Sequence, residues 1–134
     1  MKMISAIPAL PVKDMKKSVK FYKQMLGFTK VHLDDGFAVL KNDMVELHLW
    51  EANDESWRER KVKEPVQSGA ESFLAGTASC RIRVEGVAGL FEDMRRKNIL
   101  HPNTDLKTQW WGERDFAVTD LDNNLITFYE NIKE

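Results

Sequence analysis

Val12-Lys13-Asp14-Met15-Lys16-Lys17-Ser18-Val19-Lys20-Phe21-Tyr22-Lys23-Gln24-Met25-Leu26-Gly27-Phe28, residues 12–28, is the stretch whose reading sets the architecture. Met15, Val19, Tyr22 and Leu26 recur at three- and four-residue steps with lysines between them, the pattern of an amphipathic helix with a solvated cationic face. Asp14 supplies an N-cap and Gly27 a stop. The same pattern then returns. With Val12 set on Val84, Met15 falls on Val87, Val19 on Phe91 and Tyr22 on Met94, a constant shift of 72 positions. Further on, Gly36-Phe37-Ala38-Val39 answers Asp115-Phe116-Ala117-Val118 at a shift of 79, so the second copy contains a longer loop.

Working outward from the helix, Ile4 to Val12 reads as an extended segment that Pro8 and Pro11 confine to a sheet edge. Phe28 to Val31, Phe37 to Leu40 and Met44 to Glu51 follow as strands, with turns at Asp34-Asp35-Gly36 and Asn42-Asp43. In the second half Ser79 to Val84 is a strand, and a helix runs from Val87 to about Lys97. Each half is therefore one strand, one helix and three strands. The expected fold is α+β, a single domain over residues 1–134 with two tandem βαβββ modules, about 1–65 and 77–134, forming a curved, mostly antiparallel sheet cleft. A linker over about 52–77, marked by Pro65, Ser68, Gly69 and Gly76 and braced by Trp57, joins them.

Composition removes several function classes. Twenty basic against 21 acidic residues leave a net charge of -1, so no global field points to nucleic acid. No apolar run approaches the roughly 20 residues that cross a bilayer, and Lys13-Asp14 ends the opening apolar stretch too early for a signal peptide. Cys80 is the single cysteine, which excludes an intrachain disulfide; it alternates in phase with Ile82 and Val84 and reads as a buried, inert thiol. The expected location is the cytoplasm. Glycine-rich phosphate loops, nucleophile elbows and zinc-type pairs are absent from the sequence.

Two places carry chemistry of another kind. In Met44 to Glu51, Val45, Leu47 and Leu49 alternate with Glu46, His48 and Trp50, so one face is aliphatic and the other faces water or a cavity. In Gln109-Trp110-Trp111-Gly112-Glu113-Arg114-Asp115-Phe116, two adjacent indoles on an extended segment cannot both enter one core. At least one therefore contacts solvent or a ligand.

Pro11-Val12-Lys13-Asp14 through Ser18, Phe21-Tyr22 and Leu26-Gly27-Phe28, with the closing Trp111-Gly112-Glu113-Arg114-Asp115-Phe116-Ala117-Val118-Thr119-Asp120-Leu121-Asp122-Asn123-Asn124, resembles the vicinal oxygen chelate superfamily. The closing stretch is similar to the form W-G-x-R-x-F-x-V-x-D-P-D-G-N of its antibiotic-binding members, the bleomycin resistance proteins. It departs at Leu121, usually proline, and at Asn123, usually glycine; asparagine tolerates the left-handed turn that glycine would adopt. In the superfamily's metalloenzymes each half provides one ligand five residues before its valine and one in its last strand. The resemblance places Ile7, Ser79 and Thr127 at three of these positions and either Glu46 or His48 at the fourth, which implies no resident metal or cofactor and binding rather than turnover.

The resemblance further implies a homodimer with an exchanged N-terminal strand, for which Pro8 is the matching proline, and clefts built from both subunits. The implied partner is a glycopeptide antibiotic of the bleomycin, phleomycin or tallysomycin group, sequestered unmodified; any metal arrives inside the drug. Neither nucleic acid nor membrane is an implied partner. Phe37 and Trp111, the latter beside Gly112, match the family's stacking pair, with Asp34, Asp35 and Glu113 as carboxylates for the drug's cationic tail. His48, Trp50 and Ser79 would line the cleft, and Trp110 would mainly anchor its loop. A metal-dependent lyase, isomerase or thiol transferase of the superfamily, or a binder of another flat aromatic compound, are the alternatives.

Overall fold

Helix α1 (Met15–Leu26) begins where the Asp14 side chain accepts a 3.0 Å hydrogen bond from the Lys17 N–H. It ends at Gly27, whose φ of 75° is the left-handed cap that leaves its N–H on the Tyr22 carbonyl. Met15, Ser18, Val19, Phe21, Tyr22 and Leu26 are buried, and the lysines point outward. The computed structural model describes residues 1–52 and 75–132; Trp57, Pro65, Ser68, Gly69 and most of the expected linker lie outside them.

Four strands, β1 (Ala9–Val12), β2 (Thr29–Leu33), β3 (Phe37–Asn42) and β4 (Val45–Glu51), make one sheet in the order β1-β4-β3-β2. The second half repeats this as β5 (Ser79–Arg83), helix α2 (Val87–Arg96), β6 (Lys107–Thr108), β7 (Glu113–Thr119) and β8 (Leu125–Asn131), in the order β5-β8-β7-β6. In each sheet the first strand lies parallel to the last and the other pairings are antiparallel. The expected βαβββ repeat is therefore present, with β1 at an edge, where Pro11 lacks only a donor the ladder does not need. The first strand is shorter than Ile4 to Val12: pairing starts at Ala9, and the Pro8 carbonyl takes the His48 N–H at 3.0 Å.

Register corrects one equivalence. Leu10 pairs with Leu49 and Ile82 with Phe128, so the last strands are related by a shift of 79. Ala38 also pairs with Leu49 and Phe116 with Phe128, so the third strands are related by 78, not 79. Phe37 thus corresponds to Asp115 and Ala38 to Phe116. A one-residue slip moves a side chain to the opposite face, and here the difference is physical: Phe116 is buried under α2 against Phe91 at 5.3 Å, whereas Phe37 stands on the other face of its sheet. The same register puts His48, not Glu46, at the position matching Thr127.

One hydrophobic cluster joins both sheets and both helices. Cys80 lies at its margin, and burial, then the nearby Asp120, push its thiol up to about 11. At pH 8 the thiolate fraction is then about two orders of magnitude below that of an ordinary cysteine. Reaction with a disulfide reagent is expected to be slow by that factor in the native protein and normal in urea; equal rates would refute the inert thiol.

Helix α2 lacks a side-chain cap at Gly86. Instead the Glu130 carboxylate on β8 accepts from the N–H groups of Gly86 at 2.9 Å and Val87 at 3.2 Å. Those two bonds hold its carboxyl below the usual range. A depressed folded-state value contributes stability above the unfolded carboxyl range and loses it as pH falls through the folded value. Glu130→Gln should accordingly lower the urea midpoint at pH 7 and converge on wild type at pH 3; a constant offset across that range would contradict the assignment.

Candidate ligand-binding site

On β3 and β4, Ala38, Leu40, Leu47 and Leu49 are fully buried beneath α1. Strand alternation sends Phe37, Val39 and Lys41 of β3 and Glu46, His48 and Trp50 of β4 to the opposite face. Cross-strand register then builds an aromatic floor: Phe37 faces Trp50, with ring centroids 4.8 Å apart, and meets His48 edge-on at 5.1 Å. His32 on β2 closes the group at 5.9 Å from Phe37. The Trp50 side is open to solvent.

Carboxylates orient both imidazoles. Glu46 lies 2.8 Å from His48 Nε2 and 3.5 Å from the Lys41 ammonium, and the His48 contact leads in holding its carboxyl below the ordinary range. Asp34 lies 2.9 Å from His32 Nε2 and accepts the Gly36 N–H, and it too is lowered, chiefly by His32. Asp34 and Asp35 thus sit on the β2–β3 turn at the rim of the aromatic floor, both exposed. His32 is itself exposed. Its place in the floor follows from an irregularity in the β2–β3 register between Lys30 and His32, for which the sequence carries no signal.

The second sheet keeps one ring of the three and adds charge beside it. Asp115, Thr127 and Tyr129 occupy the positions of Phe37, His48 and Trp50. Arg81 pairs with the Glu113 carboxylate and its guanidinium stands 4.3 Å from the centre of the Tyr129 ring. Glu113 is held below the ordinary carboxylate range first by Arg81 and then by the indole of Trp111. Ser79 lies exposed on the same face, beside Leu125. Arg81 and Tyr129 were not anticipated, although the alternation of Ser79, Arg81 and Arg83 with Cys80 and Ile82 already places them on the face away from the core.

Trp110 and Trp111 form the tip of the β6–β7 hairpin. The segment is a turn and not an extended strand: the Gly112 N–H donates to the Gln109 carbonyl at 3.1 Å, which makes the two indoles its central residues. Gly112 adopts φ 89°, a conformation that a side chain would strain. Gln109 is tied to Asp115 at 3.1 Å, fixing the base of the hairpin. Trp111 is half exposed and Trp110 is 92% exposed, so Trp110 does not anchor the loop; it projects from it, edge-on to Trp111 at 5.5 Å.

The candidate residues therefore fall into two groups, an aromatic floor on the first sheet and an indole hairpin with carboxylates on the second. The positions implied for metal ligands hold Ile7, Ser79, His48 and Thr127, and among the described residues no three His, Cys, Asp or Glu side chains gather as a metal site requires. What the two surfaces can do is stack on flat rings and meet positive charge.

Residues 5–128 match the family described as the Glyoxalase/Bleomycin resistance protein/Dioxygenase superfamily. A bleomycin resistance protein of Geobacillus stearothermophilus is 62% identical over 98% of this chain and 99% of its own length, as is one of Staphylococcus aureus. The chain belongs to this superfamily, among its bleomycin resistance proteins. Solved structures share the fold at lower identity. The bleomycin-binding protein of Streptomyces verticillus, in complex with copper(II)-bleomycin, superposes with a TM-score of 0.68 at 22% identity, covering 100% of this chain and 99% of that one. A bleomycin resistance determinant encoded on the transposon Tn5 gives 0.69 at 22%, covering 96% and 98%. The superfamily's second βαβββ module carries the indole hairpin in this chain, and its first carries the aromatic floor.

Proposed function

We propose that this protein confers tolerance to bleomycin-group glycopeptides by binding them, unmodified, in clefts of a homodimer. The observation that carries the reading is the pairing of an open aromatic floor, Phe37 against Trp50, with an exposed indole hairpin seated on carboxylates, Trp111 beside Glu113 and Asp115. A cationic ligand with flat heteroaromatic rings needs both kinds of surface: rings to stack on and negative charge for its tail. The high identity to bleomycin resistance proteins supports the choice of ligand. Binding without turnover, a cytoplasmic location and no resident cofactor belong to the same reading, with any metal carried in by the drug. No described helix is long and apolar enough to cross a membrane.

The dimer brings the two surfaces together: Phe37 of one subunit faces Trp111 of the other, Asp34 and Asp35 flank the tail, and His48, Trp50 and Ser79 line the remainder. In the single chain β1 pairs with its own β4; exchange at the Pro8 end would place the same register in the partner. Titration with metal-free and copper-loaded bleomycin, followed by tryptophan fluorescence, should saturate at one ligand per subunit. Absence of binding at micromolar protein, or stoichiometric metal with turnover of a glutathione adduct or fosfomycin, would overturn the reading.

A further inference from the structure

The charged face of the second sheet is already occupied by one of the chain's own cations. Arg81 lies over the Tyr129 ring at 4.3 Å and pairs with Glu113, whose side chain is only 12% exposed. An aromatic face beside a carboxylate is a seat for a guanidinium or ammonium group. The seat also adjoins the stacking surface, because the Trp111 indole reaches the same Glu113 carboxylate. Arg81 itself is half exposed at the side chain, so its head can swing into water on a flexible stem at little cost. Glu113, by contrast, would lose the charge-assisted bond that does most to keep it ionised if the seat stood empty.

We propose that Arg81 is an internal occupant of the cation seat formed by Glu113 and Tyr129, displaced by the positive tail of the ligand. The inference rests on the ligand-binding reading above and adds a specificity device to it. A ligand that carries a cation replaces Arg81 charge for charge, leaving Glu113 paired. A ligand without one either leaves Arg81 in place, across the floor of the site, or strands the carboxylate. Arg81 therefore acts as an internal competitor: a cation gains from the seat only by pairing with Glu113 better than Arg81 does, and a ligand without one gains nothing there.

Two titrations test this. In the first, wild type and Arg81→Met are titrated with bleomycin and with its tail-cleaved acid, which ends in a carboxylate. Removing the competitor should tighten bleomycin about threefold to tenfold, while the acid gains less or weakens. Weaker binding of bleomycin by Arg81→Met would make Arg81 a direct contact and overturn the proposal, as would equal gains for both ligands. In the second, spermidine is followed through the ring signals of Tyr129 by NMR. Arg81→Met should bind it measurably more tightly than wild type, and Arg81→Met combined with Glu113→Gln should lose that gain. Failure of wild type to bind bleomycin defeats the functional reading alone; the spermidine titration still decides the seat, and no gain there refutes it.

Discussion

Asn124→Ala is expected to lower the unfolding free energy by about 2–4 kcal/mol, roughly 10 °C in Tm for a chain of this size. Asn124 is fully buried and its carboxamide spans three segments. Nδ2 donates to the Pro11 carbonyl at 2.7 Å and to Asp120 at 2.9 Å, while Oδ1 accepts the Gly76 N–H at 3.2 Å. Asp120, itself buried, also accepts the Tyr22 hydroxyl at 2.7 Å and the N–H groups of Asp122 and Asn124, each at 2.9 Å. Burial, then Asp120, push the Tyr22 hydroxyl well above its ordinary range, so it stays a donor.

This network ties β1 and α1 of the first module to the β7–β8 turn of the second. Alanine would leave the buried Pro11 carbonyl without its donor and the Gly76 N–H without its acceptor, and would leave Asp120 Oδ2 only the Tyr22 hydroxyl, which costs more than the bonds themselves contribute. The neighbour is the control. Asn123 is exposed at φ 65°, where it takes the left-handed position of the turn, so Asn123→Ala should cost only about 1 kcal/mol. Chemical denaturation of the two variants checks the order, and a smaller loss for Asn124 than for Asn123 would contradict a stabilising role for this network.

What was legible in advance depended on period. The helix of residues 12–28 has a 3.6-residue pattern with a cap at each end, and β4 has an equally plain two-residue alternation, so both elements are legible from the residues alone. The Phe37 and Phe116 equivalence failed because aromatic side chains suit either face of a strand; only the pairing to Leu49 and Phe128 separates them. Glu46 and His48 are undecidable from sequence for the same reason, because the match depends on which residue of β4 stands beside Ala9 and which of β8 beside Arg81. Trp110 escapes the alternation rule because its segment is a turn: between Gln109 and Gly112 successive side chains no longer alternate, and both indoles leave the body of the protein. Arg81 was readable from alternation, but its partners were not, since Glu113 and Tyr129 reach it across two strand pairings.

Mixing two defective variants should restore binding. Phe37→Ala and Trp111→Ala each remove one wall of the proposed stacking site, and each alone is expected to weaken bleomycin binding by about 1–3 kcal/mol, roughly five- to 150-fold. Phe37 is the more instructive position because its ring touches His32, His48 and Trp50 at once, so its loss also loosens the floor. If a cleft takes Phe37 from one subunit and Trp111 from the other, a dimer of the two variants has one cleft with both walls and one with neither. Random reassociation makes about half the dimers mixed, so about a quarter of all clefts regain wild-type affinity. Unfolding and refolding the variants together, then titrating bleomycin, reads this as a tight phase of about one quarter amplitude that neither parent shows. A mixture that titrates as the average of its parents would place both walls in one subunit. The aromatic floor and the indole hairpin would then have to meet within a single chain, and the subunit exchange at Pro8 would have no role in building the site.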